Sequence, residues 1–594
     1  MIRRLLGGVL LVSLAAGCGI PGSTEVQVEQ RGPAAETSWS LGRGSEPPAR
    51  AASGSDAGEF VENFLAAAAG EPDRAYDRVK QFIAPADRNG LQEKQGSEVA
   101  LSVVRLTDAP VIEPDIDSMQ VTITVQQVGV LRANGTLATP VSTEPTYEFR
   151  LVSAGPPGQE DAGYYVADPP NVLLLSDEAL DRYYQRETIY FWNSGRTRLV
   201  PDQRYLPLAV PAERRVSEVV RWLTAGPSDW LGFAAARLPD RTEMINNATG
   251  SDGRWEVNLD MPTADDQRLE QFATQLAWSL AALEGELEIK ILNQSRMEID
   301  LARQRLANPV YALGDDPQRF CVYEGAVHPL AFHDGIGGPV PVVEAVNQDA
   351  LSAGMIRVGD EVLAALVVAG DDGKQRLRVG RGGAPPEAFQ VSEAYGAVGR
   401  PVWVRSTGDR PHGLVVADRR LHRFDERGVM RPVQLTVAGD VTAVAAALDG
   451  HRVALVVGGR LYVAAVTAEG GVPVVGPTRP LVTSLVSPTA VDWLGENRLV
   501  VAGSAGRPAI YEISVDGALE TALRQDVGTP VTHLASYPAN PMSPLVSGAY
   551  MYEANGVSYR SNPVERIQRE QVQQVTPPPA GARPGNPTAP FFLF

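Results

Sequence analysis

Apolar side chains recur at helical spacing where the ordered part of this chain begins. Phe60, Val61, Phe64, Leu65 and Ala68 share one face, and Gly70 stops the run. Pro72 then suits the first turn of a second helix carrying Tyr76, Val79, Phe82 and Ile83. Beyond residue 98 the period shortens to two. Segments 99–106, 119–131 and 146–152 read as strands, and in Gln120-Val-Thr-Ile-Thr-Val125 apolar and polar residues alternate as in a half-buried strand. Asn134-Gly135 marks a tight hairpin after the second of them. Two helices followed by an antiparallel sheet predict a small α+β domain over 53–180.

The helical period returns over 181–310, now mixed with strands. Strands are expected at 189–192, from 198, and at 242–245, 254–259 and 287–292. An amphipathic helix at 214–223 ends at Ala225-Gly226-Pro227. A longer helix over 269–283 aligns Phe272, Leu276, Leu280 and Leu283. These elements predict an α/β unit.

From about 320 to 575 helical spacing disappears, leaving short Val/Leu/Ala strands punctuated by glycine. Pro401-Val-Trp-Val, Val441-Thr-Ala-Val, Pro488-Thr-Ala-Val and Pro530-Val-Thr-His each open a unit, at intervals of 40, 47 and 42 residues. An earlier unit occupies 351–380. A period of about 40–50 residues built of four strands is the mark of propeller blades. About five blades are clear, and 321–327 or 550–560 are the candidates for strands that close the ring. The tail, 576–594, opens on a Pro-rich run and is expected to be extended or disordered. Its last residues, Phe591-Phe-Leu-Phe594, suit either docking or an unstructured end.

The N-terminus sets the address. Arg3 and Arg4 precede an apolar run over 5–16, too short to span a bilayer, which takes about 20 residues. Residues 1–17 therefore predict a secretory signal. Cys18, directly after Leu14-Ala-Ala-Gly17, resembles the lipidated cysteine of a bacterial lipobox, with Ala15 where the strict pattern prefers leucine. Lipidation at Cys18 implies a membrane anchor facing away from the cytoplasm. Residues 18–52 are rich in Gly, Pro, Ser, Ala and Glu and are expected to be a flexible tether.

Charge and scarce residues narrow the chemistry. A net charge of −18 argues against nucleic acid as a partner. Apart from Cys18 only Cys321 remains, so no intramolecular disulfide is available, and the Arg-Phe-Cys-Val-Tyr context suits a buried small hydrophobe. All six histidines (328, 333, 412, 422, 451 and 533) lie in the β-rich region without metal-binding spacing. His412 and His422 are ten residues apart across an expected hairpin, a spacing that allows convergence without specifying it, and His451, after Asp449-Gly450, is expected in an exposed turn. Gly503-Ser-Ala-Gly506 lacks the spacing of a hydrolase elbow. Asp315-Asp316 and Asp371-Asp372 suit turns. No catalytic residue, cofactor or metal is expected.

Two resemblances organise these units. Ile189-Tyr-Phe-Trp192, Leu223-Thr-Ala-Gly-Pro227, Leu238-Pro239, Trp255-Glu-Val-Asn-Leu-Asp260 and the helix at Gln275-Leu-Ala-Trp-Ser-Leu280 resemble a GerMN domain. Lipobox, tether, α+β domain, GerMN-like unit and propeller, in that order, resemble the actinobacterial lipoprotein LpqB family. That resemblance implies a non-enzymatic accessory protein of a two-component system. Its implied partner is the extracytoplasmic region of the sensor histidine kinase of the Mtr system, with effects on cell-wall homeostasis and division. Only Cys18 carries over as a functional residue. The competing expectation is a propeller lipoprotein whose channel binds, or acts on, an envelope sugar or peptidoglycan fragment.

Overall fold

The computed structural model describes residues 46–594, apart from 141–144, 156–162, 252, 312, 314–316, 333–337, 406–410, 469–470, 542–547 and 576–584. Cys18, the signal segment and most of the expected tether lie outside the described residues, as do His333, Asp315 and Asp316.

Order begins earlier than the expected boundary at 52. Arg50 donates to the carbonyl of Tyr164 at 3.0 Å and lies 4.3 Å from the centre of the Tyr165 ring. Helix Ala57–Ala66 starts where the Asp56 carboxylate accepts the Glu59 amide, satisfying one orphan donor of the first turn. It packs with helix Ala75–Phe82 through Phe60, Phe64 and Phe82, and Phe64 meets Phe149 of the sheet. The sheet runs Tyr164–Ala167, Thr146–Ser153, Ser118–Arg132, Ala100–Leu106 and Leu173–Ser176. Its last pairing is parallel.

A helix absent from the sequence reading, Asp177–Tyr183, crosses the expected boundary at 180 and runs straight into strand Tyr184–Trp192. That strand pairs with Leu199–Pro207 as a separate hairpin. Beside it, strands Arg254–Asp260 and Glu286–Ile291 are parallel and joined by helix Asp266–Ser279, the crossover that a parallel pair requires. That helix is shifted from the expected 269–283 because Asp265 caps its start. Helix Ala212–Ala225 buries Val216, Val219, Val220 and Leu223.

The propeller has six blades among the described residues. Four of them open on strands Val402–Val404, Val441–Ala446, Val486–Gly495 and Val531–Tyr537, at the repeats seen in sequence. The first blade opens on Ala350–Val358. Apolar seams run from blade to blade: Leu363 with Trp403, Leu414 with Leu455, Ala454 with Trp493, Ala490 with Leu534.

The closing blade corrects the sequence reading twice. Residues 550–560 belong to the fifth blade, not to the closure. The sixth is built of Gln318–Tyr323 and Ala326–Leu330 together with strand Thr588–Leu593 from the supposed tail. Its inner strand is buried on both faces, with Phe591, Phe592 and Leu593 almost inaccessible. The Pro-rich run over 576–584 lies outside the described residues, and the strand begins only after it. The ring closes where Leu593 bridges Met355 of the first blade, and the Arg357 amide donates to the Phe594 carbonyl at 2.8 Å. On the other side Tyr537 of the fifth blade stacks on Phe594, with centroids 5.5 Å apart.

Candidate functional site

Propeller axes are common seats for ligands, lined by the inner strand of each blade. Here the axis is filled. Residues of all six inner strands line it, with Arg400, Arg405, Asp492 and Phe594 in the lining, and leave about 50 Å³ among the described residues. That space suits a few waters, not a sugar ring. Arg400 pairs with Asp492 at 3.0 Å, and Asp492 also accepts the amides of Trp493 and Ser536. Burial raises the Asp492 carboxyl above its ordinary value, and Arg400 opposes that rise. The Arg405 guanidinium lies over the Phe594 ring, 5.9 Å from its centre.

His533 sits at the ring closure, with Nε2 3.0 Å from the Pro590 carbonyl. Burial, with Arg400 alongside, pushes its imidazole down from 6.5 to about 3. The unfolded chain therefore binds a proton that the native chain refuses. Stability from this group is present above about pH 6.5 and is lost as pH falls toward 3. Between pH 7 and pH 5 the native melting temperature is expected to fall more than that of His533→Gln, as read by scanning calorimetry. Equal falls would show that His533 carries no part of the acid sensitivity.

The other described histidines are not grouped with one another. Among the described residues no three His, Cys, Asp or Glu side chains are grouped to hold a metal. His412 pairs in register with Asp425 and His422 with Val415, so the hairpin does not bring the two rings together. Cys321 is buried as expected, and burial pushes its thiol well up.

His451 overturns its sequence reading. The Asp449-Gly450-His451 turn is not exposed: His451 is 3 % accessible. Its Nε2 lies 3.1 Å from the Asn193 amide nitrogen, and its Nδ1 3.1 Å from the Val466 carbonyl. Asn193 is oriented by two amides, of Thr197 and Arg198, that donate to its oxygen. Its nitrogen must therefore donate to Nε2, which leaves the proton of a neutral ring on Nδ1 for Val466. Local sequence could not show this, because the burial comes from the 184–310 unit docking onto the turn.

Neighbouring propeller turns dock in the same way. Tyr190 donates to Glu496 at 2.6 Å, and Asn497 to Thr188 at 3.0 Å. In the N-terminal unit Arg105 binds Asp177 at 2.7 Å and reaches the Ala518 carbonyl at 3.0 Å. Gln203 donates to Asp516 at 3.0 Å, and Arg479 donates back to the Leu137 carbonyl at 2.9 Å. Turns of the third and fourth blades thus hold both preceding units through buried polar contacts.

Comparison with known proteins agrees with this architecture. Residues 334–543 match the family described as lipoprotein LpqB beta-propeller domain, and 188–294 match the family described as sporulation and spore germination. Relatives named lipoprotein LpqB extend over most of the chain. The one from Corynebacterium jeikeium is 24 % identical, covering 88 % of this chain and 90 % of its own. That from Rhodococcus opacus is 25 % identical, covering 78 % and 80 %. That from Mycolicibacterium paratuberculosis is 26 % identical, covering 92 % and 94 %. Among the described residues no helix is long and apolar enough to cross a membrane. In domain content and over most of its length, this chain is a relative of the actinobacterial LpqB lipoproteins.

Proposed function

We propose that this chain is a non-catalytic lipoprotein, anchored through Cys18 on the extracytoplasmic face of the cell membrane. There it docks on the sensor region of a two-component histidine kinase of the Mtr type. The observation that carries this reading is the way the molecule is closed. The propeller axis is filled by its own side chains, and the three units are locked together by buried turns. What such a body offers a partner is a broad, shaped exterior. A lipid anchor beside a membrane-embedded partner raises effective concentration, so a weak contact suffices. The same filled axis weighs against a sugar or peptidoglycan fragment acted on in the channel.

Anchoring is tested by Cys18→Ser, which is expected to move the protein from the membrane to the soluble fraction. Retention in the membrane would overturn lipidation at this residue. Docking is tested by calorimetry of residues 46–594 against the purified extracytoplasmic region of the kinase. Saturable heat is expected; its absence up to about 1 mM, near −4 kcal/mol, would overturn the reading.

A further inference from the structure

Strands Arg420–Asp425 and Met430–Pro432 of the second blade set two arginines side by side: Arg423 and Arg431 are directly opposed in register. Like charges so placed destabilise the pair of strands until an anion stands between them. Arg427, in the turn that joins the strands, lines the same cleft as a third guanidinium. Among the described residues none of the three makes an ion pair or a side-chain hydrogen bond.

The two carboxylates of this cleft are engaged elsewhere. Asp425 accepts the amides of Arg427 at 2.9 Å and Val429 at 3.1 Å, and so holds the turn. Glu426 pairs with Arg381 of the first blade at 2.9 Å, and Glu361 pairs with the same guanidinium, also at 2.9 Å. Arg381 is thus matched to two carboxylates, whereas its three neighbours on the second blade are matched to none among the described residues. The cleft measures about 270 Å³, room for a compact ligand and not for a polymer. Gly471-Val472 of the third blade lines it too, and Val429, 44 % exposed, and Val472 give it an apolar side.

We propose that this cleft between the second and third blades binds the phosphate group of a small phosphate ester. A guanidinium takes an oxyanion through parallel N–H donors. A carboxylate has two oxygens and fills one such fork. A phosphate monoester presents three terminal oxygens and about two negative charges at neutral pH, enough to neutralise the Arg423 and Arg431 pair and engage Arg427 as well. The apolar side then receives the carbon part of the ester. A net charge of −18 repels extended polyanions and anionic membrane surfaces, so the ligand is a small soluble one.

Calorimetry of the full lipidated chain in detergent tests the proposal with glycerol 3-phosphate, inorganic phosphate and, as a carboxylate dianion, succinate. Glycerol 3-phosphate is expected to bind with a dissociation constant of about 1 mM or tighter, and about tenfold or more tighter than succinate. Inorganic phosphate separates the sources: an equal constant means that the phosphate alone is read, and a weaker one that the apolar side reads the carbon chain. Arg423→Gln and Arg431→Gln are each expected to weaken binding about tenfold or more. Arg303→Gln, on the exposed face of helix Leu301–Ala307, is expected to leave it unchanged. Glycerol 3-phosphate is also expected to raise the melting temperature of the native chain and not that of Arg431→Gln. If Arg423→Gln does not fold, Arg431→Gln, at an exposed side chain, decides alone. No binding of either phosphate up to about 10 mM, binding matched by succinate, or binding that Arg431→Gln leaves intact would overturn the proposal.

Discussion

Deleting residues 585–594 is expected to abolish the folded propeller. Strand Thr588–Leu593 is the inner strand of the sixth blade and is held from three sides. Gln318–Tyr323 pairs with it, Met355 bridges Leu593, and Tyr537 packs on Phe592 and Phe594. Without it the first and fifth blades face water across a gap, and Phe320 loses the Phe591 ring stacked 5.4 Å away. Truncating one buried phenylalanine costs about 3–5 kcal/mol. Two such losses approach or exceed the net stability of a domain, about 5–15 kcal/mol. The single change Phe592→Ala, at a side chain 3 % exposed, is expected to lower the melting temperature by on the order of 10 °C. Circular dichroism and calorimetry check both. A deletion that melts like the native chain would mean that the ring does not depend on this closure.

Arg452→Ala is the other large effect. The Arg452 side chain is 1 % exposed, pairs with Asp449 at 2.8 Å, and donates to Asn497 at 3.1 Å. Its guanidinium also lies 4.8 Å from the centre of the Trp493 ring. Removing it leaves the Asp449 carboxylate buried without a cation, a loss of about 3–5 kcal/mol when one partner of a buried pair is deleted. Because Asp449 also accepts the His451 amide, the change loosens the turn that receives Asn193. The expected result is a lower melting temperature together with faster protease cleavage between the 184–310 unit and the propeller. Arg452→Met, which keeps bulk and removes charge, is expected to be no better than alanine. Rescue by methionine would show that packing rather than charge is the cause.

Much of this fold was legible because the signal was local. The blade openings at 401, 441, 488 and 530 all announce inner strands, since each blade repeats the same alternation of strand and tight turn. The helix around Phe60 and Phe64 was equally readable. What was lost depended on distance along the chain. Strand Thr588–Leu593 finds Gln318–Tyr323 more than 260 residues away, and nothing in either segment names the other. His451 looks like a turn residue until a separate unit lands on it. Helix Asp177–Tyr183 was missed although Ser176, whose hydroxyl accepts the Ala179 amide, followed by Asp177 and Glu178, is a recognisable helix start.

The proposed docking on the kinase matters only if it changes what the kinase does. The most direct measurement is autophosphorylation of the full-length sensor kinase in liposomes, with the lipidated protein in the same bilayer. The account predicts that the kinase rate changes on adding the lipidated chain. It also predicts that the effect collapses when the anchor is removed by Cys18→Ser at the same total concentration. A rate indifferent to the lipidated protein, at densities where both are shown to share the bilayer, would contradict it.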